Sequence, residues 1–384
     1  MSDEFLPFAR PSISRAAIDE VVACLESGWI TTGPRVKKFE ELLKEYLGAP
    51  HVLALSSATA GLHIALVALD LQPGDEVITT PLTFAATLNT IVLAGGRPVL
   101  VDVERDTYNL DVARLARAIT RRTRAIVPVH FAGLPVDLDP LYALAEKHGV
   151  RVIEDAAHAI GTEYTGRRIG SFGDTQVFSF HPNKNITTGE GGAIATRDAR
   201  LAERMQLLRF HGMDREAWNR FGKTGNQHYE IVEPGYKYNM MDLQAALGLH
   251  QLPELDRFIT RRTELATRYQ KLLAAFPQWT LPHAPAYAHR HAWHLYTPLI
   301  NADAARMDRD AFMQAMKERN IGTGLHYRAA HRYPYYRDKF GFRRGEFPNA
   351  ESIGDRIVSL PLFPTMTEAD QDRVIAAMRD VFRV

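Results

Sequence analysis

Between about residues 50 and 200, short apolar runs alternate with segments whose apolar residues recur at helical spacing. "HVLAL" (51–55) precedes a small-residue turn and the amphipathic "AGLHIALVAL", and "DEVITT" (75–80) precedes "FAATLNTIVLAG". "RPVLVDV" (97–103) is followed by "DVARLARAI" (111–119) and "AIVPVH" (125–130) by "LYALAEKHG" (141–149). "VRVIEDAAHAIG" (150–161) predicts one more strand running into a helix. Strands that are nearly all apolar, joined through helices, bury themselves in a mainly parallel sheet covered on both faces. The expected class is α/β. In such sheets ligands gather beyond the carboxyl ends of the strands, so the residues just after each apolar run carry the chemistry.

At 384 residues the chain is too long for one ordinary core, so two domains are expected. The alternating part predicts a large α/β domain over 1–250. A smaller α+β domain over 251–384 contains the strand-like "AWHLYTPLI" and the helical "DRDAFMQAMKERN" and "EADQDRVIAAMRDVF". Residues 211–235 are polar and without period, which reads as a functional flap or a disordered loop. Lys and Arg (46) balance Asp and Glu (45), so no field draws nucleic acid or an acidic membrane surface. Cys24 is the lone cysteine, which excludes an internal disulfide and a thiolate metal cage. No run approaches the ~18 apolar residues of a membrane span, and "MSDEFLPFAR" puts acids where a signal peptide needs bases. The expectation is a cytoplasmic protein. "HRHAWH" (289–294) has neither HExxH nor cysteine-rich spacing, so no metal is expected there.

Three strand ends offer complementary groups. In "LSSATAGLHI" (55–64), Ser56, Ser57, Ala58, Thr59 and Gly61 open a helix. Small residues there let an anion approach the unpaired N–H groups, although an ordinary Ser or Thr cap has the same letters. In "VIEDAAHA" (152–159), Glu154 and Asp155 follow a buried strand. A carboxylate so placed needs a cation or donors, which an ion pair, a cap or a ligand would supply. His158, three residues on, is expected one helical turn away, within reach of the same ligand. In "VFSFHPNKNITTGEGG" (177–192), Ser179 and Lys184 follow an apolar run, and Gly189, Gly191 and Gly192 lie beyond. A nucleotide P-loop has its glycines before the lysine and Ser or Thr after it; here the order is reversed. An amine, a strand-end acid and a phosphate cradle together suit pyridoxal phosphate (PLP). The acid keeps its pyridine nitrogen protonated, and the amine bonds its aldehyde and then serves as the base.

At these residues the sequence resembles the PLP-dependent sugar aminotransferases of the DegT/DnrJ/EryC1/StrS family, which have the type I, aspartate-aminotransferase-like fold. The resemblance runs nearly end to end through "GWITTGP" (28–34), "SATAGLHIAL" (57–66), "DEVITTPLTFAATLN" (75–89), "VIEDAAHAIG", "FSFHPNKNITTGEGG" and "GYKYN" (235–239). "HAWHLY" (291–296) and "GTGLHYRAAH" (322–331) look most like the branch forming UDP-4-amino-4-deoxy-L-arabinose for lipid A modification. The resemblance implies Lys184 as the lysine that bonds the cofactor and Asp155 as the partner of its ring nitrogen. It further implies His158 near the phenolic oxygen, Phe84 stacked on the ring, and Ala58, Thr59 and Ser179 on the phosphate. Asn239 would reach the phosphate of a neighbouring subunit, making the active unit a homodimer. The 211–235 loop would border the sugar cleft. Trp29, Thr31, His326 and Arg328, the last two on a small-domain strand, are implied substrate contacts.

The implied partners are L-glutamate, 2-oxoglutarate and a UDP-linked 4-keto sugar. Phe84 stands where the arabinose branch carries tryptophan, which keeps the ring contact but loses the indole donor. A nucleotide-linked 4-keto-6-deoxyhexose is therefore the alternative substrate. A sugar dehydratase of this family would have histidine at the Lys184 position. A non-catalytic PLP-binding sensor would lack Lys184 or Asp155.

Overall fold

The computed structural model describes residues 4–214 and 229–383. Its large sheet uses β1 (His51–Leu55), β2 (Glu76–Thr79), β3 (Arg97–Leu100), β4 (Thr123–Ile126), β5 (Arg151–Asp155), β8 (Thr175–Ser179) and β9 (Gly192–Thr196). Between β5 and β8 lies a short hairpin, β6 (Glu163–Tyr164) and β7 (Arg167–Arg168), outside the large sheet. The order across the sheet is β1-β9-β8-β5-β4-β2-β3. β9 pairs antiparallel with both neighbours and every other pairing is parallel. Six carboxyl ends thus share one edge of the sheet, and β9 starts from that same edge.

The strands β1, β5, β8 and β9 are buried on both faces, as their composition requires. Val52 and Ala54 of β1, Val152 of β5 and Phe178 of β8 join one core. Leu53, Leu55, Ile153 and Val177, their period-2 neighbours, join the core on the opposite face. The second core is closed by α3 (Ala58–Val67), which is buried nearly all round, so close packing replaces an amphipathic stripe. Gly61 permits that contact, because a Cβ there would lie 2.7 Å from Val177. The first core is covered by α2 (Pro34–Leu47), and α1 (Arg15–Glu26) lies beyond, against a later helix, α8 (Asp242–Gln251). The helices α4 (Ala85–Leu93), α5 (Val112–Ala118), α6 (Leu138–His148) and α7 (Ala199–Leu208) complete the connections of the large unit.

Helix α9 (Leu255–Leu273) links two cores. Its Leu255, Phe258 and Ile259 join the first, while Leu265, Tyr269 and Leu273 join a third. That third core also takes Trp279, Phe312 and Met316, and Val374 and Met378 from the terminal helix Glu368–Phe382. "AWHLYTPLI" supplies the strand Leu299–Ile300 and two isolated bridges, from Tyr296 to Leu360 and from Leu299 to Ile357.

Two local expectations are corrected. No helix follows β5: residues 156–161 form turns, and His158 lies in one of them. The amides of Ala159 and Thr162 reach back only three residues, to the carbonyls of Ala156 and Ala159. His326 and Arg328 lie on extended chain rather than on a strand, with one bridge nearby, from Gly324 to Ser359. Most of the 211–235 loop, residues 215–228, lies outside the described residues. Its described ends meet through a Met213–Ile231 bridge. Among the described residues no helix is long and apolar enough to cross a membrane, and no group of three His, Cys, Asp or Glu is arranged to hold a metal.

Candidate active site

A cavity of about 450 Å³ opens at the carboxyl edge of the sheet. Ser57, Ala58 and Thr59 reach it from the start of α3, Phe84 from the cap of α4, and Asp155 from the end of β5. His158, Ser179 and Lys184 line it from the following turns and loop, and His326 and Tyr327 close it from a distant segment of the chain. One fold feature therefore gathers residues more than two hundred positions apart.

Strand alternation decides between the two acids. Glu154 turns away into a buried network: Oε2 lies 2.7 Å from His130 Nε2, and Oε1 accepts from Tyr142 and Gln176 at 2.6 Å each. Asp155, on the opposite face, turns into the cavity. Its Oδ2 accepts from Thr87 Oγ1 at 2.7 Å and its Oδ1 from the Ala157 amide at 3.2 Å. Thr83 meets the Thr87 hydroxyl at 2.7 Å. Burial raises the Asp155 pKa above the usual carboxylate value, against the lowering effect of these bonds and of Lys184. Such a carboxylate favours a cationic partner.

Lys184 is partly accessible through the cleft, but its amine sits deep within it. Burial lowers its pKa from 10.5 to about 8, with the Asp155 charge pulling the other way. The loop that carries it is tied down on both sides. Phe180 N–H donates to Gly191, Thr188 N–H to Phe180, and Asn185 Nδ2 to Ala292. His158 accepts the Ala132 amide on Nδ1 at 3.3 Å, so its neutral ring presents Nε2–H to the Tyr327 hydroxyl at 3.0 Å. Burial, reinforced by Lys184, keeps His158 well below the ordinary histidine value.

The start of α3 forms the opposite end. Ser57 caps the helix through the Ala60 amide at 3.1 Å, and the first-turn amides of Ala58 and Thr59 precede any intrahelical acceptor. Gly192 passes directly beneath. A Cβ there would lie 2.5 Å from Ala58 N, so the close approach requires glycine. The donor set fits PLP. A depressed amine, a buried acid answered by neutral donors, an exposed Phe84 ring and a helix N-terminus line one cavity. That combination matches the aldehyde, the ring nitrogen, the ring face and the phosphate of that cofactor.

Four predicted residues stand apart. Arg328 is exposed, donates to the Arg332 carbonyl at 3.3 Å and lies over Tyr333, so its side chain is not in the cavity. Trp29, Thr31 and Asn239 lie together beside α8. Trp29 Nε1 donates to the Thr32 carbonyl at 3.2 Å, the Thr31 carbonyl accepts from the Asp242 amide at 3.0 Å, and Asn239 bonds the Thr32 hydroxyl. The sequence reading missed Thr87, Tyr327 and His294. Thr83 and Thr87 were visible as an i, i+4 hydroxyl pair on a helix start. His294 Nε2 lies 3.4 Å from Lys184 Nζ, while "HRHAWH" had been weighed only as a metal site.

With this geometry in place, comparison with known proteins gives one result. The model of the DegT/DnrJ/EryC1/StrS aminotransferase family matches residues 11–379. The chain belongs to that aminotransferase family. A relative, the spore coat polysaccharide biosynthesis protein SpsC of Bacillus subtilis, is 46% identical over 385 residues, covering 99% of this chain and 98% of that protein. Among solved structures, the PLP form of Spr1654 from Streptococcus pneumoniae superposes with a TM-score of 0.90 at 32% identity, covering 99% of each chain. Helicobacter pylori PseC, an aminotransferase involved in the biosynthesis of pseudoaminic acid, also gives 0.90, at 30% identity over 99% of this chain and 100% of that one. The large sheet of this chain is accordingly that of a type I PLP-dependent sugar aminotransferase.

Proposed function

We propose that this aminotransferase moves the amino group of L-glutamate to a UDP-linked 4-keto pentose, giving UDP-4-amino-4-deoxy-L-arabinose and 2-oxoglutarate. The observation that carries the transaminase reading is the shared cavity of Lys184 and Asp155. Pyridoxal phosphate is the cofactor and, with its ring nitrogen protonated, supplies the electron sink. Asp155 holds that nitrogen's proton, and Thr87 and the Ala157 amide orient the carboxylate. Lys184 would hold the cofactor at its aldehyde and, as a free amine, would hold and move the substrate proton at Nζ. Its lowered pKa keeps a usable fraction of free amine near neutrality. Phe84 would cover one ring face, the α3 N-terminus and Ser179 would hold the phosphate, and His158 would meet the phenolic oxygen.

The pentose assignment rests on "HAWHLY" and "GTGLHYRAAH", and Phe84 in place of tryptophan keeps a 4-keto-6-deoxyhexose as the second reading. A panel of keto-sugar nucleotides assayed with glutamate separates them. Preferred turnover of the 4-keto pentose supports the first reading, and preferred turnover of a deoxyhexose replaces it. The active unit in this proposal is a homodimer. Support comes from the exposed Ile18, Val22 and Leu25, an i, i+4, i+7 stripe on α1. Ile30 and Met241 are exposed alongside, where Trp29, Thr31 and Asn239 also lie. Asn239 would then serve the partner's phosphate site.

A further inference from the structure

One side chain with no assigned role touches the reactive amine. We propose that His294 is a positioning residue that donates a hydrogen bond from Nε2–H to the free Lys184 amine and holds it whenever it is not bonded to the cofactor. The inference rests on the reading of Lys184 as that amine.

The contact is 3.4 Å long and the histidine is buried. The other ring nitrogen, Nδ1, has no hydrogen-bond partner among the described residues. A proton on Nδ1 would create a buried orphan donor, whereas a bare lone pair there is the better tolerated state. The proton therefore belongs on Nε2, the nitrogen that faces the lysine, and a neutral amine offers its lone pair as acceptor.

The backbone around the ring is fixed by Arg262 of α9, whose guanidinium donates to the carbonyls of Trp293 and His294 at 3.3 Å each and of Leu362 at 2.9 Å. The ring also packs on His158, with centroids 4.3 Å apart. Every charged or titratable group around the pair favours a neutral His294. Burial, Lys184, His158, Arg262 and His326 all hold its pKa well below the usual value, and Asp155 faces the lysine rather than the ring. His158 and His326 are likewise pushed down, so none of these rings competes for the proton of Lys184. The role is to place the amine, not to take its proton.

Competitive labelling of amines in the cofactor-free protein, read by mass spectrometry across pH, gives the pH at which Lys184 is half reactive. In His294→Phe that midpoint should rise by about one unit, the net worth of one hydrogen bond to the neutral amine. His294→Gln keeps an N–H donor and should rise less. A midpoint that stays or falls in the phenylalanine variant, or an equal shift in both, overturns the proposal. Should the phenylalanine variant fail to fold, ¹⁵N-histidine spectra of the wild-type cofactor-free protein decide. A protonated Nε2 with a bare Nδ1 supports the proposal, and the reverse tautomer ends it. Borohydride trapping of added PLP tests the underlying reading separately. PLP on Lys184 with an unmoved midpoint removes only His294, while PLP missing from Lys184 removes both.

Discussion

The end of the cavity that holds Asp155, Ser179 and Lys184 is made from strand termini and a loop braced on both sides, whereas the end that holds Leu325, His326 and Tyr327 is extended chain with one bridge nearby. At the first end, side-chain direction follows from sheet register. A one-residue slip of β5 would send Glu154 into the cavity and Asp155 into the His130 network. At the second end, direction depends on individual bonds such as His326 Nδ1 to Ser359 at 2.8 Å. The difference teaches that side-chain direction at the first end is tied to the framework of the sheet, while at the second it is set by separate bonds, one of which, from His158 Nε2 to the Tyr327 hydroxyl, joins the two ends.

The sharpest way to break this comparison is at the framework end. Lys184→Ala should abolish turnover and leave thermal unfolding unchanged or slightly later, since it removes a buried amine; measurable turnover contradicts the assignment. Asp155→Ala should lower kcat on the order of a thousandfold, because the ring nitrogen loses the group that keeps it protonated. Rates near wild type would sink that role. Thr87→Val removes one bond to the Asp155 carboxylate and should cost about tenfold in kcat/KM, whereas an unchanged value would mean that Thr87 only fills space.

Stability against pH tests the burial of Lys184 directly. Its folded pKa of about 8 lies below the ordinary 10.5. Between these values the unfolded chain keeps a proton that the folded chain has released, so stability gained from this group rises with pH. Below pH 8 the cost of burying the ammonium is present in full. Urea midpoints of the cofactor-free protein should therefore climb between pH 8 and 10.5 relative to Lys184→Met; parallel curves would show an amine bathed in water. The smallest effect is expected at the other end. Arg328→Ala should leave KM for both substrates within about twofold, given its exposed side chain, which bonds the Arg332 carbonyl and lies over Tyr333. A larger rise would mean that the segment swings inward when substrate binds.

Much of the framework end was legible from sequence because it obeys periodic rules. "HVLAL" is β1 to the residue, and the terminal helix Glu368–Phe382 matches its predicted span. The cavity gathers Ala58, Thr59, Phe84, Asp155, His158, Ser179, Lys184 and His326. What escaped depends on tertiary placement. The helix expected after Asp155 is replaced by turns: the Asp155 carbonyl is taken by the His130 amide, and the Ala159 and Thr162 amides reach back only three residues. No local pattern distinguishes a histidine beside Lys184 from one stacked on Trp293, yet His294 and His291 take those two places. Arg328 and His326 are two residues apart, but without a strand that spacing does not set a common face.

β9, the one reversed strand, has a consequence for motion. Because it returns beside β8, the segment 180–191 is clamped at both feet by neighbouring ladders, with Phe180 bonded to Gly191 across its mouth. Swinging that arch would unzip the ladder between β8 and β9. In the proposed function, the travel asked of Lys184 would then come from rotation about its own methylene stem rather than from movement of the arch.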